Sequence, residues 1–406
     1  MNMNCSRRKF IRLALTVGAG AAGAGPLLTA AGCASRHLLS APRPDGPVLA
    51  DLHVHTMIDR WNRRSPLFIE YPLLACVAEK YFNTSGMDWA HCHQAGVDLL
   101  CVTHFSAFDE WLSMSTDPNP EAPANTLRML DQLEQELNGR AAPYARPARN
   151  HHEMSALLNV PKNSPDYRIT VVHTIEGGHA LGGDLGAIET FAKRGVALIT
   201  VTHFFNKGMA SAANSYPFFP DAGARWDNQG LTSFGCEVIE EMENCGVLVD
   251  ITHAPARSVA DILVFATKPL VATHVSARTL GDHPYSLYDE HIQEIAAKNG
   301  IIGVILDPYL LSNYATVGHA EKEGALRQVV RTIRHVVKLC GDCKHVGIGS
   351  DFAGYITPPK DMKRISRVGN LRKLLMKEFD SDGDMVDDIL ANNVIRFLKE
   401  NWRSGL

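Results

Sequence analysis

Short runs of β-forming apolar residues recur along the chain, and each closes on a polar side chain able to bind a cation or carry a proton. The eight runs are VLADLHVH (48–55), VDLLCVTH (97–104), ITVVHTIE (169–176), VALITVTH (196–203), GVLVDITH (246–253), PLVATH (269–274), IIGVILD (301–307) and HVGIGSD (345–351). Between them the apolar positions switch to helical spacing, as in LGAIETFAKRG, FGCEVIEEMENCG, ARSVADILVFA, LYDEHIQEIAAKNG and RQVVRTIRHVVKL. Strands that alternate with helices predict βαβ units on a parallel sheet, and runs apolar on both faces fit strands covered on both sides. Eight such units predict an α/β chain folded as a (β/α)8 TIM barrel. The longest interval between strands, 105–168, is read as an insertion after the second strand with a helix of its own, TLRMLDQLEQELNG, reaching over the mouth. KDMKRISRVGNLRKLLMKEF and DMVDDILANNVIRFLKEN then complete the helical shell.

In such a barrel the C-terminal strand ends converge on one mouth, where active sites are built. The terminal His, Glu and Asp residues are therefore expected to share one small volume. His53 and His55 have i, i+2 spacing, which points two imidazoles from one strand face at a common ion. Glu176 is followed by two glycines that let backbone approach, and a carboxylate there can bridge two cations. His253 and His274 offer imidazoles for a second ion, and Asp351 is placed to take and give protons. His104 and His203 complete the expected set of mouth residues. Nitrogen and oxygen donors without thiolate suit Zn²⁺, with Mn²⁺, Fe²⁺ or Co²⁺ as alternatives. Paired cations lower the pKa of a bridging water towards about 7 and polarise a carbonyl, so metal-assisted hydrolysis is the expected reaction class. The chain contains no GxGxxG or Walker loop between strand and helix and no GxSxG elbow.

Composition narrows the picture further. With 406 residues, 45% hydrophobic and 21% charged, a formal charge of −4 gives no global attraction to nucleic acid. Nine cysteines are too few for a disulfide scaffold. The CxxC pair Cys340 and Cys343 follows a helix instead of a thioredoxin-like strand, and reads as two thiols or one disulfide at a helix end. Residues 1–33 have signal-peptide grammar: Arg7-Arg8 before an uncharged Gly/Ala-rich run from Leu13 to Cys33 resembles a twin-arginine export signal. Ala30-Ala31-Gly32-Cys33 resembles a lipobox with alanine in place of the usual leucine, giving the expectation of an exported, periplasmic or cell-envelope protein lipid-anchored at Cys33. Pro42, Pro44 and Pro47 mark 34–47 as a linker, leaving 48–406 as the hydrolase barrel.

The stretches IEGGHA, ITVTHFFN, GLTSFGCEVIEEMENCGVLVDITH, PLVATHVSA and GIGSDFAG, in this order and spacing, resemble the membrane (renal) dipeptidase family of the amidohydrolase superfamily. The resemblance implies two zinc ions bridged by Glu176, with His53 on the first and His253 and His274 on the second. It further implies Asp351 as the proton-handling carboxylate, His203 as the group steadying the oxyanion, a dipeptide-like or N-acyl substrate, and a homodimer. Two departures stand out. His55 replaces the family's aspartate, and ARTLGDHPYSL carries Tyr285 where an arginine binds the dipeptide carboxylate, with Arg278 seven residues earlier as a substitute. DLHVHT also opens several metal-dependent phosphoesterases, so phosphoester or lactone cleavage is a second reading, with Lys207 as the only candidate cation near a strand end. A lipid-anchored barrel that binds metal or ligand without turnover is a third.

Overall fold

A computed structural model describes residues 43–56, 87–106, 109–110, 118–204, 208–213, 230–311, 324–354, 356 and 358–404. The segment 1–33, its Cys33, and Lys207 lie outside the described residues. The described residues form nine strands: β1 (Ala50–His55), β2 (Leu99–His104), β3 (Ala145–Ala148), β4 (Ile169–Ile175), β5 (Val196–Thr200), β6 (Leu248–Asp250), β7 (Val271–Val275), β8 (Ile301–Val304) and β9 (Val346–Ile348). β1, β2 and β4–β9 each pair in parallel with the next, and β9 returns to β1, which closes an eight-stranded barrel.

All eight expected runs supply barrel strands, but several stop short of the residue that ends the run. β6 stops at Asp250, three residues before His253, and β9 stops at Ile348, three before Asp351. The polar ends therefore sit in the turns just past the sheet. The ninth strand, β3, was not legible as a strand: ARPA is a proline among three charged or small residues, and it pairs only along Ile169–Val172 of β4. That edge of β4 passes to β5 from His173 onward, so β3 occupies the half of the edge that β5 leaves open.

The helices follow the crossovers: α1 (Trp89–Ala95), α2 (Ala122–Asn138), α3 (His151–Leu158), α4 (Gly186–Lys193), α5 (Ser233–Asn244), α6 (Ala256–Phe265), α7 (Asp289–Ala297), α8 (Ala325–Cys340), α9 (Val368–Glu378), α10 (Gly383–Asp387) and α11 (Asn393–Asn401). In α8, Leu326, Val329, Val330, Ile333 and Val336 recur at helical spacing on the buried face, and Gly341 ends the helix in the left-handed conformation at φ 81°. Within the insertion, α2 lies along the barrel wall, burying Leu130, Leu133 and Leu137 in one core with Leu100, Val102 and Val171. Its apolar stripe has to be covered, and the wall between β2 and β4 needs a crossover helix; one placement meets both requirements.

Residues 43–47, read as the end of a linker, are fastened to the barrel base. Arg43 donates to the carbonyls of Lys162 (2.6 Å) and His93 (3.1 Å), and Lys162 Nζ donates to the carbonyl of Gly46 (2.8 Å).

Two glycines show how tightly the interior closes. A Cβ on Gly303 or on Gly349 would overlap the backbone carbonyl of Thr273, so β8 and β9 approach β7 at a distance only glycine allows. Gly369 in α9 has nothing within 4 Å of its Cβ position. Gly349→Ala is accordingly expected to destabilise by at least about 1–3 kcal/mol, and Gly369→Ala to stabilise by roughly 0.5–1 kcal/mol. Chemical denaturation of the two variants beside the parent protein checks both signs.

Candidate metal centre

Local backbone departures aim the functional side chains inward. β1 carries an extra residue between Asp51 and Val54 relative to β2, and β7 one between Ala272 and Val275 relative to β8. Such bulges re-aim side chains at barrel rims. The β7 bulge contains Thr273 and His274, and both point into the centre. His253 (φ 68°) and Asp351 (φ 57°) adopt the left-handed conformation just beyond their strands, an uncommon state for residues with a Cβ and a form of strain concentrated at functional sites.

Glu176 stands in the middle. Its Oε2 lies 3.4 Å from His55 Nε2; its Oε1 lies 3.1 Å from His253 Nε2, 3.4 Å from His274 Nε2, and 3.5 Å from both His53 Nε2 and His203 Nε2. Asp351 Oδ1 is 3.2 Å from His55 Nε2 and 3.8 Å from His53 Nε2. Among the described residues, two groups gather ligand atoms closely enough to hold a cation: His53, His55 and Glu176, and Glu176, His203 and His253. Every member is buried.

The donor chemistry fits divalent metal. Nε2 of His53 and His55 are 3.1 Å apart, and Nε2 of His253 and His274 are 3.2 Å apart. Two nitrogens on one tetrahedral ion at about 2.05 Å are separated by about 3.3 Å. Burial holds His53, His203 and His274 well below the usual imidazole range, with neighbouring imidazoles adding to the effect, and brings His253 down to about 4. For His53, His253 and His274 this favours the neutral ring, the state a metal requires. His55 differs: burial opposes its charged form, but the bond to Asp351 and the charges of Glu176 and Asp351 outweigh burial and raise it. Burial also pushes Glu176 well above the usual carboxylate range; His55 offsets part of this, while Asp351, Glu110 and Asp250 add to it. A carboxylate so placed is one that a cation would stabilise.

Behind the imidazoles lies a layer that the sequence reading did not pick out. Asp250 accepts hydrogen bonds from the hydroxyls of Thr200 (2.6 Å), Thr252 (2.7 Å) and Thr273 (2.7 Å). Since the Thr273 hydroxyl proton goes to Asp250, its oxygen accepts from His274 Nδ1 at 2.9 Å. That fixes the proton on Nδ1 and leaves the Nε2 lone pair facing the centre. Thr103 Oγ1 stands 3.3 Å from His53 Nδ1 in the same way. The recurring Thr-His dipeptide at strand ends was a usable signal for these threonines. Glu110, from the insertion, was also missed: its carboxylate is 2.6 Å from His203 Nδ1 and accepts from Phe204 N at 2.8 Å.

The same dipeptide explains a correction. His104 does not reach the mouth. β2 runs regularly through His104, so Thr103 faces inward to His53 and His104 faces outward, with Nε2 3.0 Å from His173 Nδ1. Tyr285 is at the site but buried, 2% exposed; its hydroxyl donates to the carbonyl of His274, and its ring lies 4.8 Å from that of His253. Arg278 is engaged elsewhere, with Nε 2.8 Å from Asp282 Oδ1 and its guanidinium over Tyr288 at 4.8 Å.

The sequence profile of the membrane dipeptidase family, peptidase family M19, matches residues 48–404. The chain belongs to this family. Among relatives of this membrane dipeptidase family member, an uncharacterized dipeptidase of Schizosaccharomyces pombe is 27% identical over 238 residues, covering 57% of this chain and 53% of the relative. The chain thus spans about half the length of the curated relatives it matches. A metallopeptidase of Rhodobacter sphaeroides, solved with a phosphinate mimic of the dipeptide L-Ala-D-Ala, superposes with a TM-score of 0.67 at 20% identity, over 88% of this chain and 100% of that one. The probable dipeptidase PvdM of Pseudomonas aeruginosa gives 0.64 at 20% identity, over 78% and 89%. These superpositions establish the shared barrel.

Thr273→Val keeps the shape of the side chain and removes the hydroxyl that fixes His274. Metal affinity is expected to fall about 10–100-fold, read by competition with a chromophoric chelator. Unchanged affinity would show that the relay from Asp250 does not tune His274.

Proposed function

We propose that the chain is a metal-dependent hydrolase that cleaves an amide bond in a small dipeptide-like or N-acyl substrate, using two Zn²⁺ ions that share Glu176. The observation that carries this reading is the placing of Glu176, one carboxylate with one oxygen toward His55 and the other toward His253 and His274. His53 and His55 would hold the first ion, and His253 and His274 the second. When bound, the ions supply Lewis acidity, activating water and polarising the scissile carbonyl.

The remaining work falls to the chain's own groups. Asp351, 8% exposed and held by its strained backbone beside His55, takes the proton of the attacking water at Oδ1 and returns it to the leaving nitrogen. A Cβ on Gly354 would collide with that oxygen, so the glycine keeps it open. His203, with Nδ1–H held by Glu110 and a second proton on Nε2, would turn Nε2–H to the centre, where charge develops on the carbonyl oxygen. With Tyr285 closed over the carbonyl of His274 and Arg278 paired to Asp282, neither offers a free cation to a substrate carboxylate. Substrates with a blocked or absent C-terminal carboxylate are therefore favoured. Export, a lipid anchor at Cys33 and pairing into homodimers belong to the same proposal and rest on the N-terminal sequence and the family resemblance. Among the described residues no helix is long and apolar enough to cross a membrane.

Elemental analysis of the purified protein should find two ions per chain, and His253→Ala should lose one of them. Asp351→Asn should keep both ions and lose about 10²–10⁴-fold in kcat, measured on a panel of dipeptides, N-acyl and C-amidated analogues, phosphoesters and lactones. Full activity in Asp351→Asn would remove it as the proton carrier. Turnover of phosphoesters or lactones alone would replace the amide reading.

A further inference from the structure

Glu110 is fully buried, and it comes from the insertion after β2. Both of its oxygens are engaged with adjacent residues at the end of the fourth strand of the barrel. Oε2 meets His203 Nδ1 at 2.6 Å, and Oε1 accepts from Phe204 N at 2.8 Å. His179 Nδ1 stands 3.9 Å from Oε1, and Glu110's own N–H donates to the carbonyl of Ser106 at 3.3 Å.

The consequence for His203 is geometric. A ring flip or a rotation about its side-chain bonds would break a short, charge-assisted contact. Phe105 lies edge-on to the ring at 4.6 Å between centroids, and His253 edge-on at 4.2 Å, so the plane of the imidazole is fixed as well. One edge remains, and it points inward: Nε2 is 3.5 Å from Glu176 Oε1. Burying a carboxylate beside other carboxylates is unfavourable unless its hydrogen bonds compensate. Here those bonds go to the two residues whose placement decides where Nε2 lies.

We propose that Glu110 is the positioning residue of His203, its carboxylate holding Nδ1–H and the following peptide so that the ring, in the form that also carries a proton on Nε2, turns that N–H to the substrate's carbonyl oxygen as charge develops on it. This rests on the role given to His203 above. The clamp acts on turnover and leaves cation binding to the other imidazoles. Glu110→Gln tests it, because the amide removes the negative charge facing Nδ1–H and cannot, with one oxygen on each contact, accept from both Nδ1–H and Phe204 N–H.

The experiment uses the metal-loaded full chain and the best substrate of the hydrolysis panel. The parent, Glu110→Gln, His203→Asn and the double variant are compared by kcat and KM separately, by metal content and by thermal midpoint. Glu110→Gln is expected to lower kcat about 10–100-fold with KM and metal content within about twofold of the parent, and the double variant to be no slower than His203→Asn alone. Full activity in His203→Asn would overturn the role of His203 itself. An impaired His203→Asn with a parent-like Glu110→Gln, losses that multiply in the double variant, or loss of metal in Glu110→Gln would each overturn the clamp. Should Glu110→Gln fail to fold, Glu110→Asp carries the same comparison, since it keeps the charge and withdraws it by one methylene.

Discussion

A carboxylate buried among imidazoles and other carboxylates is costly unless something positive stands beside it, and Glu176 is such a group at 3% exposure. Burial alone drives it toward its neutral form. A cation on either side of it removes that penalty, and the imidazoles around it are held neutral and ready to bind. The same burial that penalises the bare charge is what a cation beside it would relieve. The surrounding residues can be understood as what it takes to keep this one carboxylate in place with a ligand atom on each side.

The barrel meets that requirement through small local irregularities on a regular frame. Bulges in β1 and β7, left-handed backbone at His253 and Asp351, and glycines at 303 and 349 where no side chain fits all lie within one or two turns of the centre. The far ends of the strands are continuous apolar packing against the helices. Stability is supplied by the wall and the base, and part of the backbone strain sits at the mouth, at His253 and Asp351. Asp250 with its three threonines, and Glu110 with His203, then convert a set of flexible imidazoles into rings with a defined edge toward the reaction.

Much of this was legible in the sequence, for physical reasons. Strands buried on both faces leave long apolar runs, and a barrel places the ends of those runs together, so His53, His55, Glu176, His253, His274 and Asp351 could be grouped without a structure. What was not legible depended on whether a strand continues or stops. His104 and His274 both follow a threonine at the end of an apolar run, yet β2 stays regular and turns His104 outward, whereas a bulge in β7 turns His274 inward. No periodicity in either run distinguishes them. β3 was hidden because it pairs over only half an edge, and Glu110 because a single acid in a long insertion carries no spacing to mark it. The helix of that insertion was recognised, and its apolar stripe explains why it lies on the wall.

The central claim is that one carboxylate is shared by two cations. The most direct measurement is metal stoichiometry and affinity, by elemental analysis and calorimetric titration, for the parent protein beside Glu176→Gln, with folding of both confirmed by circular dichroism. The account predicts two ions per chain in the parent and weakened binding of both in the variant, because one substitution removes a ligand from each. A Glu176→Gln protein that kept one ion at parental affinity would contradict it, since the carboxylate would then belong to a single site.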